Sequence, residues 1–233
     1  MRYVRTLRTL NVETMNLISE RLLAYGRLRL FAIGIIGLGL LGCSGRPSDF
    51  VPPELDPESA AAEAIALYDK DGDGKLSKTE LKACPGLLVS IGAYDKDGDE
   101  VISEDEIAQR LQKYVSEVVT LSRLSATVRL DNRPLVGATV RFIPETYLGE
   151  EIKESTGVTN KGGSASMAVA DEELPENQKG IRGIHPGTYR VEITDPEGKV
   201  PAMFNTETTL GYETTPSSQY TSFDLKSRKK KKR

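Results

Sequence analysis

Two hydrophobic rhythms divide the chain near residue 120. Before that point, apolar residues recur every three or four positions. Ala61, Ala64, Ile65 and Tyr68 form one stripe, Leu87, Ile91 and Tyr94 a second, and Ile107, Leu111, Tyr114 and Val118 a third. Each stripe predicts a helix that buries one face. From Ser125 the rhythm shortens to two, in ATVRL, ATVRFI, ASMAV and TYRVEI. Turn residues separate these runs: Asp131-Asn132, Asn160-Lys161-Gly162-Gly163 and Asp195-Pro196-Glu197-Gly198. Short alternating runs between such turns predict antiparallel strands packed as a sandwich. The expected fold class is multidomain α plus β. A compact helical pair over 57–120 precedes an antiparallel β-sandwich over 124–225, and 145–154 reads as a longer inter-strand loop.

Acidic stretches fill both gaps between the helical stripes. DKDGDGKLSKTE starts at Asp69 and DKDGDEVISEDE starts at Asp95, 26 residues later. Calcium takes six to eight oxygen ligands, and a twelve-residue loop can wrap it when ligands alternate along the chain. In the first stretch Asp69, Asp71 and Asp73 stand at places one, three and five, and Ser77 and Glu80 at places nine and twelve. Lys75 at place seven need offer only its backbone carbonyl. The second stretch repeats the set with Asp95, Asp97, Asp99, Val101, Ser103 and Glu106. Leu76 and Ile102, both at place eight, suit a short two-stranded contact between the loops.

This arrangement resembles the EF-hand, and the resemblance implies a pair of Ca2+ sites. The loops lie closer together than in calmodulin-like pairs. Pro85-Gly86 is expected to cut the first exiting helix short. Place six separates the copies, with Gly74 in the first and Glu100 in the second. That place needs a positive φ, which glycine adopts freely. The second site is therefore expected to be occupied but weaker.

The amino terminus reads as an address. Residues 30–41, LFAIGIIGLGLL, are apolar or Gly and follow Arg27 and Arg29. A spanning helix needs about 20 apolar residues, so the run fits a secretory signal better. It ends in Leu40-Leu41-Gly42-Cys43, which resembles a bacterial lipobox. The resemblance implies a signal over 1–42, cleavage after Gly42 and lipid on Cys43, which anchors the protein to a membrane of the cell envelope. Residues 43–56, rich in Pro and Ser, read as a tether. The signal, the tether and a basic tail over 226–233 are expected to lie outside packed structure.

Charge sharpens this picture. The chain has 31 Lys/Arg and 34 Asp/Glu, a net charge of −3. Residues 1–42 hold six of the basic residues and two of the acidic ones, so the remainder is at −7. Setting aside Arg228–Arg233 as well leaves −13. A body this acidic suits cations and disfavours nucleic acid. The basic tail suits an anionic envelope polymer. The single His, His185, sits in a turn before a strand and leaves almost no material for a His-based catalytic or zinc site. Cys84 is expected to pack as a small apolar side chain. No catalytic set emerges, and the chain is expected not to be an enzyme.

TVRLDNRPLVGATVRFIPE, TNKGGSASM and IHPGTYRVEITDP together resemble the carboxypeptidase-regulatory-like, or transthyretin-like, sandwich family, in the versions carried by planctomycete-type lipoproteins. Such a fold does not fix a function. Two functions stay open. In one, the chain is an envelope lipoprotein whose Ca2+ is structural. In the other, it is an extracytoplasmic interaction or adhesion module whose sandwich binds a protein or glycan, with Ca2+ only stiffening the neck.

Overall fold

The computed structural model describes residues 52–117 and 119–227. The expected signal over 1–42, the lipidated Cys43, the tether as far as Val51, and Arg228–Arg233 of the tail lie outside the described residues. The described residues form one compact unit of mixed α/β structure.

Among the described residues, three helices come first. α1 (Pro57–Tyr68) begins at Asp56, whose side chain accepts from the N–H groups of Glu58 and Ser59, with Pro57 at the first helical position. Both features start a helix: the carboxylate satisfies free N–H groups and proline needs none. Buried Ala60, Ala61 and Ala64 let α1 lie along α3 (Glu104–Ser116). Between them come β1 (Lys75–Ser77), one 3₁₀ turn (Glu80–Ala83), α2 (Pro85–Tyr94) and β2 (Val101–Ser103). The first exiting helix is thus cut to one turn, and Pro85 serves as the opening residue of α2. β1 and β2 pair antiparallel with Leu76 opposite Ile102, and both side chains are fully buried.

Two sheets follow. One has the order β10 (Gly211–Thr214), β9 (Gly187–Thr194), β5 (Thr139–Pro144), β6 (Ser155–Val158), β8 (Ala168–Val169). The other has β11 (Tyr220–Leu225), β3 (Ser125–Leu130) and β4 (Arg133–Pro134), with β7 (Ser164–Ser166) also on β3. Phe142 on β5 ties the sheets together. Its ring meets Tyr189 and Tyr212 of its own sheet and Phe223 of the other, edge to face, at centroid distances of 6.0, 5.6 and 6.1 Å. The Asp131-Asn132 signal forms a two-residue turn between β3 and β4, with φ of 51° and 65°. Paired positive φ values match the twist that a tight hairpin requires.

The expectation of a wholly antiparallel sheet structure needs one correction. β11 runs parallel to β3, with Tyr220 opposite Ser125 and Leu225 opposite Leu130. Parallel neighbours need a long crossover, and the chain supplies one by building the five-stranded sheet between them.

The helices and the sheets share one hydrophobic core. α2 lies against β9 and β10. A Cβ on Gly86 would stand 2.7 Å from the backbone nitrogen of Tyr189, and one on Gly211 would stand 1.9 Å from the carbonyl oxygen of Pro85. Backbone meets backbone here, so neither position has room for a side chain.

Candidate metal centre

Each acidic loop is wrapped by its own carboxylates. In the first, Asp69 accepts from the N–H of Gly72 at 2.7 Å and that of Gly74 at 2.9 Å. Asp71 takes the N–H of Asp73 at 3.3 Å and Asp73 that of Lys75 at 2.8 Å. Every aspartate so bonded curls the chain around itself, as short acidic side chains do in turns. Glu80 closes the loop. One of its oxygens accepts from the N–H of Lys70 at 2.8 Å, and the other from the N–H and hydroxyl of Ser77 at 2.8 and 2.7 Å.

The second loop repeats this bond for bond. Asp95 accepts from Gly98 at 2.7 Å and from Glu100 at 3.1 Å. Asp97 and Asp99 accept from Asp99 and Val101, both at 3.1 Å. Glu106 accepts from Lys96 at 2.7 Å and from Ser103 N–H and hydroxyl at 2.9 and 2.8 Å. Ser103 also caps α3, making a reciprocal capping box with Glu106. The place-nine serines therefore hold the place-twelve carboxylates in both loops. Lys75 and Val101 open β1 and β2, which sets the two place-seven residues on the paired strands.

The geometry gathers negative charge. One carboxylate oxygen from each of Asp69, Asp71 and Asp73 lies within 4.8 Å of the others, and the same holds for Asp95, Asp97 and Asp99. Hard oxygen donors at such spacing suit a hard cation. The N–H of Lys70 and the hydroxyl and N–H of Ser77 hold the Glu80 carboxyl down to about 2. Burial pushes Glu106 upward, but the N–H groups of Lys96 and Ser103 and the Ser103 hydroxyl outweigh it and keep it below its ordinary value. Both glutamates are thus anionic at neutral pH. What Glu80 adds to stability is complete above its unfolded pKa of 4.5 and fades as pH falls towards 2.

Place six is left-handed in both loops, with φ of 80° at Gly74 and 68° at Glu100. Glu100 therefore carries the strain that its position implies. Two features of the loops go beyond what their sequence predicts. Place four is also left-handed, at Gly72 and Gly98, with φ of 77° and 80°; the repeated glycine was a readable signal. The loops are also cross-tied. Lys75 of the first reaches Asp99 of the second at 2.5 Å, and Lys78 reaches Glu100 at 3.0 Å. Asp99 holds the Lys75 ammonium above its ordinary pKa, and Lys75 holds Asp99 below its own.

His185 and Cys84 are both buried. The Nδ1 of His185 lies 2.7 Å from the Thr120 carbonyl, and burial lowers its pKa. Cys84 is fully buried, and burial pushes its thiol up, away from the reactive thiolate. Among the described residues no helix is long and apolar enough to cross a membrane. No protein-family model matches this chain, and no curated protein matches its sequence.

Proposed function

We propose that the protein binds calcium through a compact EF-hand pair. The ligands would be Asp69, Asp71, Asp73, Ser77 and Glu80 with the Lys75 carbonyl, and Asp95, Asp97, Asp99, Ser103 and Glu106 with the Val101 carbonyl. One observation carries the reading: two loops of different sequence adopt the same wrap, down to a left-handed Glu100 where the other has glycine. A solvated acidic turn has no reason to hold a glutamate in that conformation.

The ion acts as a staple more than as a signal. It neutralises three crowded aspartates per loop, whose repulsion otherwise loosens the pair. Extracellular calcium modules work at about 10⁻⁴–10⁻³ M, the regime expected outside the cytoplasm. The leader and Cys43 point to an exported lipoprotein of the bacterial envelope, and the paired sheets that follow are read as a transthyretin-like sandwich. The protein is read as a binding and structural component, not an enzyme.

Calorimetric titration of residues 44–233 with calcium tests the proposal. Two binding steps and a rise in melting temperature are expected. No heat and no thermal shift at millimolar calcium would overturn it.

A further inference from the structure

A large groove lies away from the acidic loops. It is open, holds about 920 Å³, and runs between the residues leading into β3 and those leading into β11. A second groove of about 520 Å³ adjoins it, and both are lined by Ser166 and Arg182. Neither lining contains an Asp or Glu. Another cleft carries Glu54, Glu151, Glu172 and Glu173, and another Glu54, Asp56, Glu63 and Glu151.

Two arginines, Arg123 and Arg182, line the carboxylate-free groove. An antiparallel bridge between Ser122 and Ile184 sets Arg123 and Arg182 on neighbouring segments. Both are exposed, and neither makes an ion pair among the described residues. The rest of the lining is mixed, with apolar Leu121 and Ile181 beside polar Ser125, Ser166, Ser218 and Gln219. Tyr220 at the rim is 79% exposed, although it lies in a regular strand. Unpaired arginines present a fork that matches a carboxylate with two parallel hydrogen bonds. Hydroxyl and amide groups match sugar hydroxyls. A free tyrosine ring offers an apolar face with a polar tip, which suits the C–H face of a pyranose.

From this juxtaposition we propose that the groove binds an acidic polysaccharide, with Arg123 and Arg182 taking uronate carboxylates and Tyr220 stacking on a sugar ring. The site stands independently of calcium.

The test titrates the full chain with a hexasaccharide carrying glucuronate at alternate sugars, in chelator so that calcium cannot bridge. Binding is expected to weaken at least tenfold in Arg123→Gln/Arg182→Gln, whose two sites are exposed and whose melting temperature should not move. Tyr220→Ala should weaken it severalfold, and a neutral chitin hexasaccharide should bind at least tenfold more weakly than the acidic one. Absence of binding overturns the proposal. So does undiminished binding by the double variant, since the basic tail would then be the receptor. Equal or tighter binding of a poly-glutamate peptide would also overturn it, by making the groove a general anion or peptide site.

Discussion

The two ends of α2 meet very different surroundings. Its last residue, Tyr94, hands the chain to Asp95 and an exposed acidic loop. Its first residues, Pro85 and Gly86, are buried against β9 and β10. At the loop end every wrapping bond spans eleven residues or fewer, as from Lys96 to Glu106. At the sheet end the ties are distant in sequence. Gly86 donates its N–H to Glu145 at 2.7 Å across 59 positions. Farther along the same seam, Arg110 of α3 grips Glu213 of β10 with two bonds of 2.9 and 3.0 Å. Tyr114 donates to the same carboxylate, and the Arg110 guanidinium lies over the rings of Tyr94 and Tyr114. The loop end is an exposed wrap closed by local bonds. The sheet end is built to exclude everything, which is why it tolerates change least.

The contrast is tested most severely at the glycines. Gly211→Ala should cost about 4 kcal/mol or more, because its Cβ would overlap the Pro85 carbonyl and backbone cannot swing aside. Thermal melting should fall by roughly 10 °C or more. At Gly92, on α2, an added Cβ would meet nothing within 4 Å. There Gly92→Ala should stabilise by about 0.5–1 kcal/mol through helix propensity alone. Equal effects at the two glycines would mean that the seam is not closed.

Next comes the charge pair. Glu213→Gln leaves the largely buried Arg110 without its counter-charge. Breaking a pair in such a place costs roughly 3 kcal/mol. Chemical denaturation should register that loss with and without calcium, since the pair lies outside the loops. A loss that appears only in chelator would show that the seam answers to the loops.

Why one end of α2 was legible and the other was not follows from the same bonds. Asp69, Gly74, Ser77 and Glu80 act within twelve positions, so their spacing in the sequence is their geometry. The place-six strain at Glu100 could be read for that reason. Likewise, Asp131-Asn132 predicted its own turn. Nothing local marks Glu145 as the partner of Gly86, or Glu213 as the partner of Arg110. Each looks like an ordinary charged residue beside a strand or on a helix. The parallel pairing of β11 escaped for the same reason: alternation sets a strand's faces, and it leaves the neighbour's direction open. Period-two runs and helical stripes gave the two halves, and the contact that joins them rests on residues about 60 to 100 positions apart.

Within the loop end, a smaller comparison remains between the two copies. Glu100 sits at φ 68°, a conformation that costs a residue with a side chain about 1–2 kcal/mol. Glu100→Gly should therefore tighten the second site by about five- to thirtyfold and leave the first almost unchanged. Stepwise calorimetry would read both constants. An unchanged second constant would show that backbone strain does not rank the sites.

The finest difference is electrostatic, because the first loop lends the second a cation. The Lys75 ammonium lies 2.5 Å from Asp99, so an ion taking the place-five oxygen of the second loop must share it or displace the lysine. Lys75→Met keeps the backbone carbonyl at place seven and removes only the competitor. An exposed pair is weakly coupled, so the second site should tighten by about two- to fivefold. This gain is separable from the Glu100 effect by salt. A charge effect between exposed groups fades once the Debye length shrinks to about 3 Å near 1 M salt. Backbone strain is indifferent to salt. The Lys75→Met gain should therefore be large in dilute buffer and small in strong salt, while the Glu100→Gly gain stays constant. A Lys75→Met gain that survives strong salt would mean that the lysine acts by shaping the loop and not by its charge.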